Sequence, residues 1–235
     1  YVSFVKALTT KPVVGVGRFT LPDTMVRQVK DGILDFIGAA RPSIADPFLP
    51  RKIAEGREDE IRECIGCNIC RSANNEAVHL RCTQNPTMGE EWRMGWHPEI
   101  ISRKHESERV LVVGAGPAGL EAALSLARRG CEVLLAEKNN ELGGRLRRES
   151  RLPGLGNWIR VSDHRQHMLS KLPNAEIFRG SDLSADDIGD LDLRHVVLAT
   201  GSHWRRDAIG VTGEEALAFQ DALTPDDVFA GATIA

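Results

Sequence analysis

Four of the chain's five cysteines fall between residues 64 and 82, in "ECIGCNICRSANNEAVHLRCTQN". Cys64, Cys67 and Cys70 recur every third residue, and Cys82 follows twelve residues after Cys70. Three thiolates at i, i+3 and i+6 on a tight loop can clasp three corners of a cubane, and a fourth can close it from beyond a short loop. That spacing points to a [4Fe–4S] cluster. Zinc more often takes two separated C-x-x-C pairs or adds histidines, and His79, three residues before Cys82, keeps a Cys/His zinc site open. The fifth cysteine, Cys131 in "RRGCEVLLAE", heads an apolar run and is expected to be a buried small hydrophobe.

A second constellation could hold a nucleotide. "VLVVGAGPAG" sets Gly114, Gly116 and Gly119 as G-x-G-x-x-G between a predicted strand and a predicted helix. The first glycine makes the turn, the second admits a diphosphate, and the third lets helix and strand pack closely. The diphosphate would then lie at the helix N-terminus, where free N–H groups and the helix dipole favour an anion. Glu137 closes the next predicted strand, where it can accept hydrogen bonds from a ribose 2′-OH and disfavour a 2′-phosphate. The motif implies adenine-dinucleotide or ADP binding.

The third candidate is a pair of arginines. Arg18 follows "VVGVG" and Arg41 follows "DFIGAA", each directly after a β-branched or apolar run. Small residues there would let backbone amides approach a phosphate that an arginine grips bidentately. The same pattern also suits two surface arginines after buried strands.

These residues need elements to position them. The first sixty residues alternate α, β, α, β: helical spacing in "YVSFVKALTT", a strand in "KPVVGVGRF", a helix in "LPDTMVRQVKDG" opened by Pro22 and Asp23 and stopped at Gly32, and a strand in "LDFIGAARP". Both strands read as buried on both faces, the signature of parallel strands in a barrel or open sheet. Residues 43–62 are expected to form a loop and a short helix, and the charged "RKHESER" at 103–109 a linker. After it, "RVLVVGAGPAGLEAALSLARRGCEVLLAEK" is a complete β-α-β unit. The organisation expected is 1–62 as the end of an α/β barrel, 63–107 as the cysteine segment and connector, and 108–235 as a Rossmann-like domain. Apart from the cysteines, residues 60–100 offer few obvious anchors.

Composition narrows the function classes. A net charge of −3 argues against nucleic-acid binding. No apolar run approaches the roughly 20 residues needed to span a bilayer, and no signal peptide is recognisable. The chain reads as cytoplasmic, where clustered cysteines hold metal in preference to forming disulfides. Opening on Tyr1 and closing on "FAGATIA", it also reads as an internal segment of a longer protein.

The motifs together resemble a known family. "KPVVGVGRF…DFIGAARPSIADPFLPRKIAEGR" looks like the last two strands of the old yellow enzyme barrel. That resemblance implies that Gly17 with Arg18, and Ala40 with Arg41, hold an FMN phosphate. "CIGCNIC" followed by "CTQNP" is similar to the flavin/iron–sulfur branch of that family, which implies that Cys64, Cys67, Cys70 and Cys82 bind one [4Fe–4S] cluster near the flavin. "ELGGRL", with Gly143, Gly144 and Arg145, and "HVVLATGSHW" resemble the dinucleotide domains of that branch. "ARPSIADPFLP", "MGEEWRMGWHPE", "LPGLGNW" and "ATGSHW" look like the trimethylamine and histamine dehydrogenases.

The resemblance implies a small amine substrate, ADP without a redox role, an electron-transfer flavoprotein as acceptor and a homodimer. The substrate pocket and catalytic groups would lie outside these residues, so no catalytic residue is named. The alternative is a dienoyl-CoA or enoate reductase using NAD(P)H, with FAD at the glycine motif.

Overall fold

The computed structural model describes residues 2–103 and 107–202. Two parallel sheets organise them. In the first, β1 (Val14–Val16) pairs with β2 (Phe36–Gly38), joined by helix α1 (Pro22–Lys30). Proline at the first helical turn and Asp23 behind it favour the helix start, and Gly32 at φ +66° ends it. Helices α2 (Ala40–Ala45) and α3 (Leu49–Ala54) follow.

The expectation that both strands are buried on both faces does not hold. Val14, Val16 and Phe36 are 56%, 75% and 59% exposed, and only the Gly15 face is covered, by Leu34. Among the described residues no third strand joins the pair, so the other face of the strands has nothing packed on it.

The cysteine segment carries α4 (Ile69–Asn75) and α5 (Glu91–Met94) and little other regular structure. Beyond it a four-stranded parallel sheet runs in the order β5-β4-β3-β6, from β3 (Arg109–Val113), β4 (Glu132–Glu137), β5 (Ala175–Arg179) and β6 (His195–Leu198). Helix α6 (Pro117–Arg128) crosses from β3 to β4; α7 (Leu146–Glu149) and α8 (Arg160–Ser170) lead to β5, and α9 (Ala185–Asp190) to β6. One face of β3 and β4 packs Val110, Val112, Val133 and Leu135 against Leu120, Ala123, Leu124 and Leu169. The other packs Leu111, Val113 and Ala136 against Leu183, Ile188 and Leu193. Cys131 is 2% exposed within the first of these layers.

Burial on both faces explains the unbroken apolar run of β3. No described helix is long and apolar enough to cross a membrane. The linker residues 104–106, and the end of the "ATGSHW" motif with everything after it, lie outside the described residues.

Candidate functional site

The glycine motif forms an open turn at the carboxyl edge of β3. Gly114 takes φ +98°, turning the chain out of the strand. A Cβ on Gly119 would collide with the Gly114 carbonyl, so helix and turn pack at a distance that only glycine allows. A Cβ on Gly116 would meet no protein atom within 4 Å, because that side opens into a cavity of about 820 Å³. An α6 N-terminus facing unfilled space is the arrangement a diphosphate requires. Gly143 docks on this turn by donating its N–H to the Ala115 carbonyl at 2.8 Å. Gly144 and Arg145 line the same cavity, and Arg145 also donates to the Ser202 carbonyl at 3.2 Å.

Glu137 lines the cavity too, but its carboxylate has work inside the protein. One oxygen accepts the Ala115 N–H at 2.8 Å; the other accepts the Asn139 N–H at 3.0 Å and its side-chain amide at 2.7 Å. It therefore ties the glycine turn to the turn after β4. A carboxylate has about four acceptor positions, so room for a ribose hydroxyl remains.

The cysteine loop is shaped by backbone conformation. Gly66 takes φ +74° between Cys64 and Cys67, and Asn68 takes φ 60° just before α4, whose first turn carries Cys70. Asparagine tolerates that left-handed conformation better than most residues. The Cys82 thiol receives the Gln84 N–H at 3.4 Å, and the Asn85 N–H also points to it. Gly66 does the same for Cys64. Burial pushes both thiols up, and these N–H donors oppose it. Cys67 contacts the Thr83 hydroxyl at 2.7 Å.

Cys64, Cys67 and Cys82 are close enough to influence one another's charge, and all four cysteines are free and partly exposed. Among the described residues no three His, Cys, Asp or Glu side chains gather around a single metal-ion position. Amide N–H groups aimed at sulfur are what charged thiolates need.

The strand-end arginines reach this loop. Arg18 donates to the Cys64 carbonyl at 2.8 Å and Arg41 to the Asn68 side-chain oxygen at 2.6 Å. Each uses one nitrogen of its fork, leaving the others for an anion. Gly17 has less to offer than the sequence suggests, because its N–H already donates to the Gly38 carbonyl at 3.2 Å. Ala40 and Arg41 open α2, where first-turn N–H groups have no helical acceptor.

The expectation of a poorly anchored cysteine segment is wrong. Arg165 of α8, 3% exposed, donates to the Gln84 side-chain oxygen at 2.9 Å and to Glu121 at 2.6 Å. Gln84 in turn donates to the Glu63 carbonyl at 3.0 Å, Arg160 pairs with Glu63, and Asn85 donates to the Ile44 carbonyl at 3.1 Å. Ile65 packs on Leu146 and Val161, with Cys67 and Trp158 alongside. Ile65 and Thr83 also line the cavity at the glycine motif. None of these residues stands out in the sequence, where Gln84 and Asn85 show only as polar neighbours of Cys82.

Comparison with known proteins fits this geometry. Residues 1–60 match the NADH:flavin oxidoreductase / NADH oxidase family, and residues 109–182 match the FAD dependent oxidoreductase family. The chain is 46% identical over 242 residues to dimethylamine dehydrogenase of Hyphomicrobium sp. (strain x), covering 98% of the chain and 33% of that protein. Histamine dehydrogenase from Rhizobium sp. 4-9 is 58% identical with a TM-score of 0.85, over 88% of the chain and 30% of that structure. The chain belongs to the trimethylamine and histamine dehydrogenase branch of the old yellow enzyme family.

A further member, the 6-hydroxypseudooxynicotine amine oxidase of Pseudomonas geniculata N1, superposes with a TM-score of 0.90 at 51% identity, over 98% of the chain and 35% of that structure. The chain thus spans about a third of the length of these family members.

Proposed function

We propose that this chain is the electron-exit portion of an iron–sulfur flavoprotein that oxidises a small amine. FMN is held at the barrel strand ends by Arg18 and Arg41, with Gly17 and Ala40 beside them. Cys64, Cys67, Cys70 and Cys82 hold a [4Fe–4S] cluster, and ADP lies at Gly114, Gly116, Gly119 and Glu137. A flavin held there would supply two-electron oxidation of a C–H bond next to nitrogen, and a cluster held by the four cysteines would accept electrons one at a time. An electron-transfer flavoprotein is the acceptor that suits such a chain of centres, and the full-length enzyme is a cytoplasmic homodimer.

The observation that carries this reading is the contact of both strand-end arginines with the cysteine loop, at 2.8 Å and 2.6 Å. A flavin anchored by those arginines stands beside the cluster ligands, which is what transfer between the two centres requires.

One observation favours the second reading, a reductase with FAD at the glycine motif. The nucleotide cavity runs on to Ile65 and Thr83, a reach that ADP does not need. Extracting the bound nucleotide from the full-length protein separates the two. ADP, with reduction by dimethylamine or histamine under anaerobic conditions, supports the dehydrogenase. FAD, with reduction by NADH, refutes it.

A further inference from the structure

A second cavity, of about 350 Å³, lies where α3, the residues leading to Cys64, α6 and α8 meet. It shares no lining residue with the nucleotide cavity. Its walls include Lys52, Arg62, Arg128 and His164, with Glu60 and Glu99. The acids are already engaged. Glu99 pairs with Lys52, which also binds Asp46 at 2.7 Å. The Glu60 carboxylate is held by Arg57 at 2.7 Å and Lys171 at 3.0 Å.

Arg62 and Arg128 are left over. Arg62 is 4% exposed, and its Nε is buried with no hydrogen-bond partner. Among the described residues neither guanidinium has an acid within ion-pair distance; Glu121, Glu99 and Glu60 act on Arg128 only from farther off. Burial pulls the Arg128 guanidinium down, and the like charge of Arg62 adds to it. Arg62 is buried and Arg128 half-buried, and two like charges so placed, with acids only at a distance, favour an anion between them.

His164 supplies a different group. Its Nε2 lies 3.3 Å from the Glu60 carbonyl, which can only accept, so the ring proton sits on Nε2. Its Nδ1 is then a bare acceptor, and it too is buried without a partner. Burial, with the charges of Arg62 and Arg165, holds the imidazole near a pKa of about 3, so it stays neutral.

We propose that this cavity binds a phosphate group, either inorganic phosphate or the head of a small phosphate monoester. Arg62 and Arg128 donate to its oxygens, beside the neutral ring of His164. Guanidinium forks match phosphate oxygens bidentately. The cavity has room beyond the phosphate itself for an ester group. Because Arg62 precedes the cysteine loop and Arg128 ends α6, the ligand would tie the cysteine segment to the dinucleotide domain.

The test titrates full-length holoprotein, saturated with ADP, with inorganic phosphate and separately with glycerol 1-phosphate. Sodium chloride keeps the ionic strength constant, and calorimetry and thermal stability are the readouts. Saturable binding is expected, at least tenfold weaker for Arg128→Gln and intermediate for Arg62→Lys, which keeps charge but loses the fork. The tighter of the two phosphates identifies the source. Unchanged ADP affinity in Arg128→Gln establishes that this variant is folded. No saturable response to either phosphate, or an undiminished response in Arg128→Gln, would each overturn the proposal.

Discussion

Replacing Arg165 with methionine tests how the cysteine segment is held. Methionine fills similar space without charge, so the change removes the hydrogen bonds to Glu121, to the Gln84 side chain and to the Val161 carbonyl while disturbing packing little. It leaves the Gln84 oxygen buried and Glu121 without its partner. Breaking a buried charge pair on one side costs about 3–5 kcal/mol. The Glu121 side chain is 26% exposed, so water relieves part of that, and the lower end, about 3 kcal/mol, applies.

A local opening easier by about 3 kcal/mol is about 150-fold more populated, at about 1.4 kcal/mol per factor of ten. Hydrogen exchange followed by mass spectrometry on the full-length protein reads this directly, since exchange tracks local opening. Amides of residues 63–67 and 82–88 should exchange about 100-fold faster, while those of β3 and β4 should not change. An increase below about fivefold in the cysteine segment would refute the reasoning. It would mean that the Arg160–Glu63 pair, the Asn85 hydrogen bond and the apolar contacts of Ile65 hold the segment without Arg165.

Four other outcomes are expected. Cys67→Ala in the full-length protein should lower both iron and acid-labile sulfide; wild-type content of both would remove the cluster assignment. Gly116→Val should abolish ADP binding by filling the open side of the glycine turn, and Glu137→Ala should weaken it by about 1–3 kcal/mol, the cost of lost charge-assisted hydrogen bonds, as calorimetry would show. Arg41→Ala should lose FMN while keeping iron and ADP, and full flavin occupancy in that variant would place the flavin elsewhere. For His164, the unfolded chain takes a proton below about pH 6.5 that the folded chain refuses until about pH 3. Stability therefore falls as pH drops through that interval, by about 1.4 kcal/mol per unit. Urea unfolding in phosphate-free buffer between pH 7 and pH 5 should show this slope, and His164→Gln should flatten it.

What the sequence could determine by itself was whatever depends on near neighbours along the chain. The apolar run before Gly114, the glycine spacing and the acid closing the next strand specify β3, α6 and β4, because helix and strand periodicity and turn conformation are local properties. The i, i+3, i+6 cysteines are legible for the same reason, and so are the Pro22 and Gly32 boundaries of α1. The strand runs at Val14–Val16 and Phe36–Gly38 are also visible in the sequence, but the burial of their outward faces is not, because burial depends on neighbours the described chain does not supply.

Only the tertiary structure decided what the polar residues do. Arg165 sits in "RVSDHRQHMLS", which reads as a solvated helix, and Arg62 in "EDEIRE", which reads as a charged turn. Both are buried because segments about 80 or more residues apart close over them, and no local pattern encodes such a contact. Glu137 was readable as a ribose acceptor, yet its hydrogen bond from the Ala115 N–H appears only once the two turns meet. The approach of Arg18 and Arg41 to the cysteine loop likewise depends on chain separations of 46 and 27 residues. Pairings at that range are set by how whole elements pack, and that packing is what turns separate motifs into adjoining sites.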